Sequence, residues 1–305
     1  MPFTLIKGRF RATGASPDGD SIRFFADDPE LVHTLPGPFD TRRRPFVQLR
    51  LEGIDALETH YAGRHQPDRW AHAATDRLLD FVGIRDVVWD ARHATVVSAA
   101  DDTRGYILSR EREKNRRPVA FLFAGDAAEA DGAPVFLDEA RLRQSFNFVA
   151  LAEGLAYPTF YQALFADLRA AMTAEVVAAR AAGRGLWPED GTNAGIDATG
   201  LSVLIDEVPI LPKLFRRLSD YMAAEGTAVG FRAALERARE PVLDLGTANF
   251  THFDTFVEQA DGSTRIRLTV PPEQLVFDPM PAAPSNAFAA MIGAPVTGDG
   301  PTALA

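Results

Sequence analysis

Two hydrophobic rhythms alternate along the chain. Apolar residues separated by polar ones, a period of two, occur at 4–12 (TLIKGRFRA), 21–25 (SIRFF), 46–52 (FVQLRLE), 86–97 (DVVWDARHATVV), 105–108 (GYIL) and 118–123 (PVAFLF). Such alternation puts successive side chains on opposite faces of a strand. Turn residues separate the runs, as in a small antiparallel barrel. Helical spacing takes over at 66–82, where Trp70, Ala74, Leu78 and Phe81 share a face between Pro67 and Gly83. Further helices are expected over 138–156 and over the alanine-rich 161–182, closed by Gly183 and Gly185. The latter is expected to pack its apolar stripe on the barrel. Residues 26–45, with Pro29, Pro36, Pro38 and Pro45, and the charged run 109–117 (SREREKNRR) read as surface loops.

Beyond Asp190 the pattern changes. GTNAGIDATG reads as a linker, and residues 200–240 as two or three helices interrupted at Pro209 and Pro212. Asp261-Gly262 is a turn pair between NFTHFDTFVEQ and STRIRLTV, which predicts a hairpin over 250–270. From about 281 the chain is rich in Pro, Ala and Gly and is expected to be disordered. The pattern thus predicts three parts, 1–190, 191–280 and 281–305.

Composition narrows the chemistry. There is no cysteine in the 305 residues, which excludes disulfides, thiolate zinc sites and a cysteine nucleophile. The start, MPFTLIKGRF, has no apolar run long enough for a signal peptide, and no stretch approaches a membrane span, so a cytoplasmic location and no membrane partner are expected. The net charge is −10, with 24 Lys and Arg against 28 Asp and Glu in residues 1–190 and 8 against 14 in residues 191–305. That balance argues mildly against sequence-independent nucleic-acid binding, although local basic patches act locally.

Four groups carry candidate chemistry: DGDS at 18–21, Arg50, the pair Asp55 and Glu58 in LRLEGIDALETH (49–60), and Arg104 in DDTRGY. Taken singly, each has an ordinary structural reading as a turn, a solvent-facing strand residue or a local cap. On an unbroken strand Arg50 and Asp55, an odd number apart, would face opposite ways; Gly53 between them predicts a bulge or strand end that turns both into one cleft. Taken together they suit one reaction. A hard cation such as Ca²⁺ takes several oxygen ligands, which Asp20 and Asp55 can supply. Two arginines match the oxygens of a phosphodiester. Glu58 is left to orient and deprotonate the attacking water.

In order along the chain, DGDS, RLEGIDALE, TRGY, NFVALAEGLAY (147–157) and GLWPED resemble the motifs of the staphylococcal-nuclease (thermonuclease) family, over residues 1–190. The resemblance implies an α+β fold, a five-stranded OB-fold β-barrel with packed helices, followed here by a C-terminal α+β extension. It implies a calcium-dependent endonuclease acting on DNA and/or RNA with little sequence preference, leaving 3′-phosphate and 5′-hydroxyl ends. Asp20 and Asp55 would be Ca²⁺ ligands, with the backbone carbonyl of Ala56. Glu58 would be the general base, Arg50 and Arg104 would hold the phosphate, and Asp18 would support the metal from behind. Ala56 and Leu57 stand where the family has threonine and proline, which removes a hydroxyl contact and leaves the turn that holds Glu58 less rigid.

Other residues keep two readings. Arg42, Arg43, Arg44, Arg116 and Arg117 are either solvated loop charges or phosphate contacts. Tyr106, Tyr157 and Tyr161 either stack on bases or are half-buried core residues. His60, His65, His72 and His252 are expected at the surface, because the spacings within 60–72 do not put three imidazoles on one helical face. The alternative to catalysis is a nuclease-like module that binds nucleic acid or a protein partner without cutting. The extension is expected to extend a sheet, to pair two subunits or to cover the cleft, and the oligomeric state is open.

Overall fold

The computed structural model describes residues 2–38 and 44–278. Arg42, Arg43 and the tail from 281 lie outside the described residues. Strands β1 (Phe3–Arg11) and β2 (Arg23–Ala26) pair antiparallel, Arg9 opposite Phe25, and helix α1 (Pro29–His33) follows, capped by the Asp28 carboxylate. The alternating run at 46–52 becomes two short strands, β3 (Val47–Gln48) and β4 (Arg50–Leu51), and the chain then leaves the sheet as β5 (Ile54–Ala56). Helix α2 (Asp68–Phe81) falls within the expected 66–82, with Ala71, Ala74, Leu78 and Leu79 buried. The run at 86–97 is a hairpin, β6 (Arg85–Trp89) and β7 (Val96–Ala100), and not one strand. Asp90 breaks it, because its carboxylate accepts from the backbone of Arg92 and Ala94 and closes a turn.

Strand β8 (Thr103–Arg112) runs well past Leu108 and pairs with β9 (Pro118–Ala124), with a register shift near Arg110. The charged run 109–117 is therefore half strand, and only its far end turns. After β10 (Pro134–Val135) the helix expected over 138–156 is two, α3 (Glu139–Leu142) and α4 (Phe146–Ala152). Ser145 separates them by capping: its hydroxyl accepts from Phe148 N at 3.2 Å. Residues 156–161 are extended, as β11 (Ala156–Pro158) and β12 (Phe160–Tyr161), so the alanine-rich helix α5 (Ala166–Ala181) begins late.

In the main sheet the order is β3-β2-β1-β8-β9-β4. Its two ends are consecutive in the chain, so residues 47–52 touch both edges. Leu49 N donates to Ile22 O (2.9 Å), Leu51 N to Asp20 O (3.0 Å) and Glu52 N to Ala120 O (2.9 Å). The result is a nearly closed, barrel-like sheet with helices packed around it. Asn147 of α4 secures the seam: its Nδ2 donates to the carbonyls of Glu52 and Ala120, and its Oδ1 accepts from Leu122 N. It is fully buried with its polar atoms paired, the arrangement in which a buried amide stabilises.

Past Asp190 come α6 (Gly191–Ala194), β13 (Ile196–Asp197), α7 (Pro212–Glu225), α8 (Phe231–Ala238), β14 (Pro241–Asp244), β15 (Asn249–His252), β16 (Val257–Glu258), β17 (Arg265–Leu268) and β18 (Leu275–Phe277). The stretch expected as a linker is built in, since Thr192 is buried and Ile196 pairs with Ile266. The hairpin expected over 250–270 is also different: β16 pairs with β17 across Asp261-Gly262, but β15 pairs backwards with β14. Strand β18 pairs in parallel with β12, Phe160 opposite Val276. One apolar core includes Leu51, Phe121 and Tyr157 from before Asp190 and Phe215, Phe253 and Phe277 from after it. No helix of the described residues is long and apolar enough to cross a membrane.

Candidate active site

Gly53 marks the point where the chain leaves the barrel. Its φ is +74°, and a Cβ there would lie 2.7 Å from Met172 Cε. Only glycine suits both conditions. The turn it makes lets Arg50 and Asp55 line one cavity of about 750 Å³ despite their odd spacing. A second close approach completes the corner. Gly19 of the DGDS turn sits against α2 and β5, where a Cβ would be 2.5 Å from Ala74 Cβ and 2.6 Å from Ala56 Cβ. Asp18 and Asp20 are thereby brought to the same cavity as Asp55, Ala56 and Glu58.

The third wall comes from α7. Arg216 donates from Nη2 to Asp55 Oδ2 at 2.7 Å and from Nη1 to Asp55 Oδ1 at 3.2 Å, and Nη1 also bonds Glu58. One turn away, Lys213 pairs with Glu240 (3.2 Å) and donates to the Tyr161 hydroxyl (3.3 Å), and Arg217 is held by the same glutamate. Asp220, further along the same face, accepts from Tyr61 OH at 2.6 Å and pairs with Arg64. Gln66 ties the loop that carries Glu58 to the residues before α7: its Oε1 accepts from Glu58 N (3.2 Å), and its Nε2 donates to Ile210 O (2.7 Å). These bonds anchor the loop that carries Leu57 and Glu58.

Electrostatics follow from burial. Asp18 is pushed well above the usual carboxylate range, by desolvation and then by the Asp20 charge. Desolvation and Asp55 likewise raise Asp20, against the pull of Arg50. Asp55 goes the other way: although burial opposes ionisation, Arg216 and Arg50 hold it below the usual range. Glu58 is pushed up to about 7, by burial first and by Asp55, against the pull of Arg216. Burial of Arg50 is outweighed by Tyr161, Asp55 and Asp20, which keep it firmly charged. Its guanidinium lies 5.2 Å from the Tyr161 ring centroid and, among the described residues, forms no ion pair.

The donor set suits a hard cation. Asp18, Asp20, Asp55 and Glu58 offer only oxygen, and a buried Asp18 Oδ1 has no hydrogen-bond partner among the described residues. Nine carboxyl-bearing and six cationic side chains line the cavity, so acidic groups outnumber basic ones. Burial leaves Asp18, Asp20 and Glu58 holding protons more readily than usual, and a cation placed among them would favour their ionised forms. No three of these groups are drawn together into a ready-made cage among the described residues. Arg216 instead stands against Asp55, the position where positive charge is most needed.

Other expected residues fall elsewhere. Arg104 is not at the cavity: on β8 it pairs with Asp27 (2.7 Å) and Asp126 (3.1 Å) near the surface. The TRGY match located it by order along the chain, which says nothing about the facing carboxylates. Tyr157 is fully buried, edge-on to Trp187, and donates to Asp190 Oδ1 at 2.7 Å. Tyr106 stacks on Phe123 in the core. Neither ring has a face open to a base. Arg117 does line the cavity, paired with Glu113 (3.0 Å), whereas Arg116 and Arg44 do not line it.

Glu52, also at the cavity, is pushed up to about 7 by burial, against the pull of Arg50. A carboxyl raised in this way keeps its proton in the fold after the unfolded chain has lost it. Stability therefore falls as pH rises from the ordinary carboxylate range through about 7. Glu52→Gln removes that loss, so it should raise stability by up to about 3 kcal/mol above neutrality and by little near about pH 5. Denaturant melts at both pH values check this; an equal effect at both contradicts it.

No protein-family model matches the chain, and no curated protein matches it in sequence.

Proposed function

We propose that the protein is a metal-assisted phosphodiesterase, an endonuclease of DNA and/or RNA with little sequence preference, built on an OB-type barrel. The observation that carries this reading is the meeting of two distant acidic segments, 18–20 and 55–58, with Arg50 in one cavity. A site that needed only to bind phosphate would not surround it with an excess of carboxylates.

Asp20 and Asp55 would hold Ca²⁺, with Asp18 behind them and the Ala56 carbonyl as a further oxygen. When bound, the ion supplies positive charge at the phosphoryl oxygens. Glu58 takes a proton from the attacking water, a task for which a carboxyl near neutrality is well matched. Arg50, stacked on Tyr161 and firmly charged, holds the phosphate and the charge that grows on it. The 113–117 turn borders the cavity through Glu113, Lys114, Asn115 and Arg117 and limits how substrate approaches.

The wild-type protein should cut single-stranded DNA or RNA in Ca²⁺ and stop when a chelator is added. Cutting that survives the chelator contradicts the metal assignment. Ca²⁺ bound without any cutting would favour a binding module, a reading that the Arg216 lock on Asp55 and Glu58 would then explain.

A further inference from the structure

We infer that Arg216 is the second phosphate-holding guanidinium of this site, so that the segment after Asp190, and not Arg104, completes the catalytic constellation. The inference rests on the phosphodiester reading above. A phosphodiester presents two non-bridging oxygens, and two converging guanidiniums match them better than one. Arg50 is one. The other expected from the sequence, Arg104, is held by Asp27 and Asp126 away from the cavity. Arg216 lines the cavity and is close enough to Arg50 for their charges to repel. Asp55 is paired with Arg216 and its charge also acts on Arg50, so one anion offsets the repulsion between the two cations.

The placement of Arg216 is built in. Its helix starts at Pro212, buries Leu214, Phe215 and Leu218, and carries Lys213, Arg216, Arg217 and Asp220 at helical spacing on the stripe beside them. Lys213 and Arg217 share Glu240, and Asp220 takes Tyr61 and Arg64, so the helix is pinned on both sides of Arg216. Asp55 is almost fully buried, so its bidentate partner is fixed within reach of the Glu58 carboxylate. Without substrate, Arg216 keeps Asp55 and Glu58 paired. With substrate, Arg216 exchanges both carboxylates for the phosphate, so that Asp55 would be left to the metal and Glu58 to the water.

The test is binding of a phosphorothioate-linked single-stranded oligonucleotide to the full chain in Ca²⁺, measured across a salt series, alongside turnover on the ordinary oligonucleotide. Arg216→Ala should weaken binding, reduce the slope of log K against log salt by about 0.7, and lower kcat about a hundredfold. Arg216→Lys, which keeps a cation between the two carboxylates, should recover part of kcat. Arg104→Ala should leave slope and kcat at wild-type values. An unchanged slope in Arg216→Ala, in a variant that melts like wild type, overturns the assignment, because lost support alone does not remove a phosphate contact. So does a slope reduced in Arg104→Ala. Wild-type protein that neither binds nor cuts overturns the phosphodiester reading itself.

Discussion

Glu58→Gln is expected to reduce turnover by about 10²- to 10⁴-fold while leaving the fold intact. The amide oxygen can still accept from Arg216, and the Gln66 bond to the backbone of residue 58 is untouched. What is lost is proton acceptance. In the native protein that capacity is tuned by burial, which pushes Glu58 up to about 7, with Asp55 adding and Arg216 opposing. The activity lost in Gln should also lose its dependence on pH in the neutral range, since no other residue is assigned to take that proton. Thermal melts beside single-turnover rates check both parts. A glutamine variant with near-normal rate removes Glu58 from the chemistry.

Ending the chain at Asp190 should have the largest effect on stability. Several buried groups of residues 1–190 have partners beyond Asp190. Gln66 would lose the Ile210 carbonyl, Arg180 its bidentate partner Glu273, and Asp55 and Glu58 the Arg216 cation from α7. Asp190 would lose Thr192 and leave Tyr157 with a frayed partner. Removing one partner of a buried ion pair alone costs about 3–5 kcal/mol, and total stability is about 5–15 kcal/mol. The truncated chain should therefore fail to melt cooperatively and should not cut. A truncated chain that melts sharply and cuts at the wild-type rate would make residues 191–305 an independent appendage.

How much of this was legible in the sequence depends on how local each feature is. Helix α2 was readable because Pro67, four apolar positions and Gly83 all lie within or beside it. The turn of the chain at Gly53 was readable because a parity mismatch between Arg50 and Asp55 demanded it, and its φ of +74° bears this out. The split between α3 and α4 was less visible: a single serine inside an apolar run caps a helix only if its neighbour's N–H is free to meet it. Asp90 hid the β6–β7 turn in a similar way. Arg216 could not be placed from sequence. KLFRRLSD shows cations beside an apolar stripe, a pattern that also describes any surface helix. What sets it apart is docking against residues some 160 positions earlier, and no local pattern records that. Arg104 failed for the opposite reason, since its local motif was persuasive and its partners, Asp27 and Asp126, were remote.

Carboxylates from two distant segments share one cavity with two half-buried arginines, an arrangement that should make a metal-dependent hydrolytic site. Its most direct test is cleavage of a labelled single-stranded oligonucleotide by wild-type protein and by Glu58→Gln purified in parallel, each in Ca²⁺ and in excess chelator. Of the four reactions, wild type with Ca²⁺ should be the one that cuts. Equal cutting by both proteins, or cutting that the chelator leaves unchanged, would contradict it.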